Sequence, residues 1–408
     1  MTYTNKNLGR RKFIKRSGMA LTVGVASSAA GLALSQKVST NDIINLGIIG
    51  TGQRGTGIAS VLKNLPGYRL MACCDILPER LQKCLSLADK DAKGYDDYRK
   101  LLADESLDAV IISTPLSLHY QMALAAIENN KHIYCEKTMV YDYQQAREIQ
   151  HSLKDYNSIF QVGHQYRSAP MYHKIKEILS KKRIGKVHHF RCQYHRNNNW
   201  RRPVDDPRNE KIINWRMYKA FSKGLTAELS SHQIDIVNWM TGHVPTRVTG
   251  FGGIDYWQDG RETYDNINLI YEYPNGIKAN FTSILSNAYN GYKITILGDK
   301  GTIVIGRDKA WMYPEAVASD NPANEIGVVD GVSGATIKNW TQGKPIEIQF
   351  EDNGLSPTVY ALMDFAKSIR ENKRPASNEL TGKNAAIAVH MGCEAMETGQ
   401  MIYWKDKT

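Results

Sequence analysis

The feature that most narrows the folds open to this chain is an isoleucine-rich apolar run at residues 43–49. It breaks into Gly50-Thr51-Gly52-Gln53-Arg54-Gly55 and resumes as a helical pattern through Ile58, Val61 and Leu62. Strand, glycine turn and helix in that order open a dinucleotide-binding βαβ unit. A lone G-x-G-x-x-G arises by chance in many chains, so the flanking pattern carries the inference. In that setting Gly50 makes the tight turn, Gly52 lets the backbone approach a pyrophosphate, and Gly55 lets the helix pack on the strand. The helix N-terminus then faces the phosphates, with Thr51, Gln53 and Arg54 in the same loop as candidate contacts.

A second apolar run, 68–74, ends in Asp75, placed to accept hydrogen bonds from the adenosine ribose hydroxyls. A carboxylate there repels a 2′-phosphate, which favours NAD over NADP, although Arg80 lies close in sequence. A third run, 108–113, ends in Thr114-Pro115, and helical patterns occupy 78–88 and 97–104 between these strands. A helix over 118–129 leads to a strand at 132–135, and a helix over 142–155 to a strand at 159–163. This alternation predicts a doubly wound parallel sheet, an α/β Rossmann domain over residues 41–165.

Beyond residue 185 the texture changes to longer alternating strands at 186–194, 246–255, 265–273, 277–285, 292–297 and 301–305. They predict an α+β domain over 166–408 with an open, mainly antiparallel sheet. Helices at 225–240, 357–372 and 381–397 are expected to cover that sheet or to pack back on the first domain, and 316–345 reads as a surface loop.

Charge initially suggests nucleic acid, since 52 Lys and Arg face 41 Asp and Glu for a formal +11. Residues 1–40, however, hold seven of the basic residues and none of the acidic ones, which leaves 45 against 41 elsewhere. Such a balance describes no phosphate-tracking surface, and nucleic acid is not expected as a partner. The basic segment, with Arg10-Arg11-Lys12 ahead of a moderately apolar stretch and Ala33-Leu34-Ser35, has the layout of a signal peptide over 1–35. Its paired arginines resemble a twin-arginine signal, which predicts periplasmic or other export of a folded protein, with no membrane span in the mature chain. The six cysteines include no C-x-x-C pair and fall in apolar runs, so buried free thiols are expected and neither a zinc site nor a disulfide framework.

Two further segments carry chemistry. Glu136-Lys137-Thr138 stands at the carboxyl end of a predicted parallel strand, where a lysine can meet a substrate hydroxyl in the crevice. Glu228, His232 and Asp235 are spaced for one face of the 225–240 helix. A carboxylate, an imidazole and a second carboxylate suit acid and base work, though the same trio could be a metal pair or a structural network.

Taken in order along the chain, these segments resemble the Gfo/Idh/MocA oxidoreductases. The resemblance rests on the Gly50 turn, Thr114-Pro115 with His119, Glu136-Lys137, residues 163–167, Ile184-Gly185-Lys186-Val187 and the Glu228/His232/Asp235 helix. It implies that Lys137 and His232 are catalytic, that Glu228 takes the place of the family's usual Asp, and that no metal is needed. By the same resemblance Thr114, Pro115, His119, Glu136, Lys137 and Gln165 join the cofactor contacts. Thr138 departs from the family pattern, standing where Glu-Lys-Pro has its proline. The implied substrates are sugars, inositols or their derivatives.

A reader for such a ligand is available in residues 195–202 and Asn214-Trp215-Arg216, since indole faces stack on pyranose rings while Asn and Arg grip hydroxyls. Tyr166, Arg167, Trp200, Arg201, Trp215, His232 and Asp235 are the candidate substrate contacts. The expected reaction is NAD-linked oxidation of a secondary hydroxyl, C3 of a pyranoside foremost. The alternatives are an NAD-dependent glycosidase working by oxidation, elimination, hydration and re-reduction, or a non-catalytic sugar-binding protein. A homo-oligomer is expected.

Overall fold

The computed structural model describes residues 43–315 and 343–406. The leader read over 1–35 lies outside the described residues, as does all but the end of the loop read over 316–345.

The first half is a six-stranded sheet of order β3-β2-β1-β4-β5-β6 whose neighbours are all parallel. Its strands are β1 (Ile44–Ile49), β2 (Tyr68–Cys74), β3 (Lys93–Tyr95), β4 (Ala109–Ile112), β5 (His132–Cys135) and β6 (Phe160–Val162). Helices α1 (Gln53–Leu62), α2 (Pro78–Leu85), α3 (Tyr98–Leu102), α4 (His119–Glu128) and α5 (Tyr143–Ser152) connect them. Every residue of β4 is buried, as a sheet covered on both faces requires. Winding proceeds outward from β1 to β3 and then restarts at β4 on the other side of β1. The crevice beyond the carboxyl ends of β1 and β4 is therefore the switch point at which such sheets bind ligands.

After α6 (Pro170–Ser180) comes a nine-stranded sheet of order β14-β13-β12-β11-β7-β10-β9-β8-β15. It comprises β7 (Val187–Tyr194), β8 (Arg247–Gly253), β9 (Asn266–Glu272), β10 (Lys278–Ile284), β11 (Tyr292–Gly298), β12 (Gly301–Ile305), β13 (Ala310–Pro314), β14 (Ile346–Glu347) and β15 (Ile402–Tyr403). Neighbours are antiparallel except β7 and β10, which run parallel. Burial alternates along β9 and β10, so one face meets the core and the other lies open. The expected fold class, a doubly wound parallel sheet followed by an open, mainly antiparallel one, is what the chain adopts.

Of the two C-terminal helices, α9 (Pro357–Glu371) packs on the first sheet and α10 (Glu379–Thr398) ties the two sheets together. On α9, the Leu362 carbonyl accepts from Tyr68 Oη at 2.7 Å and the Ala361 carbonyl from Gln161 Nε2 at 2.8 Å. Gly392, where a Cβ would stand 2.3 Å from Tyr271 Oη, lets α10 come close enough for that hydroxyl of β9 to donate to the Ala388 carbonyl at 2.8 Å. On the other side of α10, Tyr143 of α5 donates to Glu394 at 2.8 Å.

One expected element is built differently. The stretch read as a single helix over 225–240 is a π-helical segment, Thr226–Ser230, followed by a regular helix α8, Ser231–Thr241, after a short α7 at Glu210–Ile213. Lys137 Nζ donates to the Ala227 and Glu228 carbonyls at 3.2 and 2.9 Å, and Thr138 Oγ1 to the Ala227 carbonyl at 3.3 Å. The widened turn thus bonds to the end of β5. Single π turns of this kind concentrate at functional sites.

Candidate active site

Two continuous clefts meet over the switch point. The nucleotide cleft, of about 900 Å³, is lined by the glycine turn, Asp75, Arg80 and Pro115, and the second, of about 840 Å³, by Glu136, Lys137, Gln165, Glu228 and His232. Both include Gln53, Arg54, Thr114, Arg202, Trp215 and Arg216.

At the glycine turn Gly50 has φ +88°, and a Cβ there would stand 2.8 Å from the Ser113 carbonyl carbon. A Cβ on Gly55 would fall 2.0 Å from the Gly50 oxygen, so neither position admits a side chain. Helix α1 starts at Gln53 with Gly52 as its N-cap, without a side-chain cap and without an acidic residue in its first turn. Its leading N–H groups are open to an anion at the cleft, which fits a dinucleotide diphosphate. Asp75 is already engaged: Oδ2 accepts from Thr51 N at 2.7 Å and from Thr51 Oγ1 at 3.1 Å, and Oδ1 from Leu77 N at 2.9 Å. It braces the turn and still lines the cleft, with acceptor capacity left on Oδ1.

At the strand ends, Glu136 is buried and holds Arg54, whose Nη2 lies 2.7 Å from Oε1, while Arg54 Nη1 donates to Thr358 Oγ1 of α9 at 3.0 Å. His119 pins neighbouring strand ends, its ring nitrogens 2.8 Å from the Thr138 carbonyl and 3.0 Å from the Thr114 carbonyl. Burial pushes the Lys137 pKa down, against the pull of Glu228 and Glu136. Burial alone would raise Glu228, but Arg216, donating to its Oε2 at 2.7 Å, and Lys137 outweigh it and hold the carboxyl below its ordinary value. His232 is driven well below the usual imidazole range, by burial first and then by Lys137 and His164. The site therefore presents a neutral imidazole beside an ionised carboxylate and a lysine whose charged form is disfavoured. Among the described residues no group of His, Cys, Asp and Glu is placed to hold a metal ion.

The structure brings Lys137, Glu228, His232 and Gln165 together with Trp200, Arg201 and Trp215. Arg201 is committed to Glu210, at 2.5 Å, and to the Asp259 carbonyl, at 2.7 Å. Three residues read as substrate contacts stand elsewhere. Arg167 and Asp235, 6% and 0% exposed, form a bidentate pair with bonds of 3.0, 2.8 and 2.9 Å, so that both carboxylate oxygens are spent inside the protein. The one-face reading fails because Glu228 lies in the π-helical turn ahead of α8, and because His232 lines the cleft while Asp235 turns inward to Arg167. Tyr166 stacks on Tyr172 at 5.0 Å and backs His232 at 5.4 Å between ring centres, behind the cleft lining.

One residue escaped the sequence reading. His164, just after β6, is 1% exposed, stands edge-on to His232 at 6.4 Å, and has Nδ1 3.9 Å from Asp235 Oδ1. Both its ring nitrogens, and Nδ1 of His232, are buried without a hydrogen-bond partner. Its place immediately before Gln165 at a strand end was the available signal. The six cysteines are free and buried.

A parallel sheet with a glycine turn at its switch point, opening onto a lysine, an imidazole and a carboxylate, defines a dinucleotide-dependent oxidoreductase. Comparison with known proteins makes this specific: residues 44–164 match the family described as "Oxidoreductase family, NAD-binding Rossmann fold", and residues 172–304 match the GFO/IDH/MocA C-terminal domain. The chain belongs to the Gfo/Idh/MocA family of NAD-binding oxidoreductases. It is 25% identical to a levoglucosan dehydrogenase of Pseudarthrobacter phenanthrenivorans over 68% of this chain and 77% of that one. It is 28% identical to a 2,7-anhydro-N-acetylneuraminate hydratase of Mediterraneibacter gnavus over 52% of each. Among solved structures, a levoglucosan dehydrogenase in complex with NADH and levoglucosan superposes with a TM-score of 0.69 at 20% identity, over 88% of this chain and 99% of that one.

Proposed function

We propose that this protein is an exported dehydrogenase that keeps NAD bound and oxidises a secondary hydroxyl of a sugar or glycoside, C3 of a pyranoside foremost. The observation that carries the reading is the meeting of Lys137, Glu228 and His232 in a cleft continuous with the glycine turn. The open N-terminus of α1 and Asp75 would hold the dinucleotide. When bound, NAD supplies the acceptor for the hydride that leaves the carbinol carbon. His232, neutral because its charged form is buried at a cost, takes the hydroxyl proton. Lys137, tethered to the π turn through the Ala227 and Glu228 carbonyls, polarises the substrate oxygen. Glu228, kept ionised beside Arg216, balances the lysine charge. Trp200 and Trp215 offer faces for a pyranose ring. Arg167, Asp235 and Tyr166 support these groups from behind.

The similarity to a hydratase that acts on an anhydro sugar favours a second reading, in which oxidation is followed by elimination, hydration and re-reduction with NAD regenerated. Export rests on the paired Arg10-Arg11 leader, and a homo-oligomer on the exposed Phe251, Ile270 and Tyr403 of the second sheet's open face. Mass spectrometry of nucleotide released on denaturing the purified protein tests the cofactor. Single-turnover reduction of that nucleotide by glycosides, with product analysis, separates the two reactions. Absence of any bound or bindable nicotinamide nucleotide would sink both.

A further inference from the structure

Two guanidinium groups line the nucleotide cleft with no carboxylate partner among the described residues. Arg54, Arg216 and Arg99, which line the same cleft, are paired with Glu136, Glu228 and Asp97. Among the described residues Arg80 and Arg202 have no such partner. Arg202 Nη2 donates to the neutral Gln53 side chain, on the first residue of α1. Arg80 reaches the turn from the other side: a Cβ on Gly52 would stand 3.6 Å from its Nη1. The two groups therefore converge on the start of α1, Arg80 at Gly52 and Arg202 at the Gln53 side chain.

Arg202 is held near two other guanidinium groups. Burial, then Arg216, then Arg80 push the Arg202 pKa below the ordinary guanidinium value. Arg202 is nevertheless fixed in place, since its backbone N–H donates to Asn214 Oδ1 at 2.8 Å and its carbonyl accepts from Asn214 Nδ2 at 3.1 Å. Asn214 is itself buried and bonded to Glu210 at 2.9 Å. Like charges held together by a built scaffold, over an uncapped helix N-terminus, describe a seat for a bridging anion.

We propose that Arg80 and Arg202 clamp the diphosphate of the bound dinucleotide against the glycine turn, one from each half of the chain. The clamp rests on the NAD-dependent reading and adds a role for the segment 195–202 in retaining the cofactor. Because Arg202 comes from outside the parallel-sheet half, the dinucleotide leaves only after that side chain lets go. A cofactor held in this way is suited to being reduced and reoxidised in place.

An acid group on a sugar could reach Arg202 from the second cleft, which it also lines, so the test separates the two anions. Affinities for NAD, ADP and adenosine are measured by competition against labelled NAD exchanged into the purified chain, in wild type, Arg80→Gln, Arg202→Gln and Arg202→Lys. Each Gln variant is expected to weaken NAD and ADP by about 10- to 100-fold, to speed release of labelled NAD, and to leave adenosine unchanged. Arg202→Lys, with charge but no fork, should fall between. The Asn214 bonds to the Arg202 backbone remain in these variants, and thermal midpoints check that the fold does too. Unchanged NAD and ADP affinity beside normal wild-type binding overturns the clamp and leaves the oxidoreductase reading intact. Equal weakening of adenosine overturns it as well, by showing a general distortion of the site. Unchanged ADP affinity in Arg202→Gln, with a selective loss of glucuronate relative to glucose when each is titrated directly into the NAD-loaded chain, assigns Arg202 to an acidic sugar and overturns the diphosphate role. A wild-type chain that binds no nucleotide removes both readings together.

Discussion

Removing the Asp235 carboxylate should unsettle the fold far more than the binding of substrate. In Asp235→Ala, Arg167 loses three charge-assisted hydrogen bonds of 2.8 to 3.0 Å. Its guanidinium, 7% exposed, keeps only the Trp239 face at 5.4 Å, and His164 loses the carboxylate 3.9 Å from its Nδ1. Breaking a buried pair by deleting one partner costs about 3–5 kcal/mol. Against a typical total of about 5–15 kcal/mol, the variant should fold but with much of its margin gone. Replacing both partners, as Arg167→Met with Asp235→Leu, removes the stranded charge, and most of the lost stability should return. Urea unfolding of the two single variants and the double variant gives the coupling energy directly, while KM for the sugar should change little in each folded enzyme. If Asp235→Ala stays within about 1 kcal/mol of wild type, the usual range of an unremarkable substitution, and raises KM instead, the burial argument is wrong and Asp235 faces substrate.

Lys137→Ala and His232→Ala should each lose about 10²- to 10⁴-fold in the single-turnover rate while retaining bound NAD, and the double variant should be far less impaired than the product of the two losses. Near-normal turnover in either one removes it from the mechanism. Asp75→Ala should lower the melting temperature, because Thr51 and Leu77 lose their acceptor, and should also relax the preference for NAD over NADP; an unchanged preference places the ribose elsewhere. Stability should fall on acidification, since burial lowers the pKa of His119, His164 and His232, and that of His390 to about 3. The unfolded chain takes up protons below about pH 6.5 that the native one refuses, so the stability each such histidine contributes is complete above that pH and is lost below it, with a slope of up to about 1.4 kcal/mol per pH unit. A urea midpoint that stays flat from pH 7 to 5 would contradict this.

What the sequence made legible is what local periodicity encodes. The apolar runs of the first sheet and the alternating strands at 186–194, 265–273 and 277–285 stand within a residue or two of their observed limits, because a strand's neighbours dictate its pattern. The elements missed include β3, β14 and β15, two or three residues each with little pattern to show, but also β13 and α6, although Met171, Tyr172, Ile175, Ile178 and Leu179 of α6 do repeat at a helical spacing. The site divides along the same line. Gly50, Asp75, Lys137 and His232 lie where strand ends and turns put them, so motif spacing found them. The Arg167–Asp235 pair spans 68 positions and Lys137 to the Glu228 carbonyl 91, and no local rule encodes either. A helix period of 3.6 placed Glu228, His232 and Asp235 on one face, but that argument presumes one regular helix, and Glu228 lies in the π-helical turn ahead of α8. With α8 buried from Ser231 through Asn238, each polar group must find its own partner, and it is those partners that separate Asp235 from His232. The same reasoning gives His164 its interest: both its ring nitrogens and Nδ1 of His232 find no protein partner, so His164 backs His232 by burial and ring packing and not by a hydrogen bond.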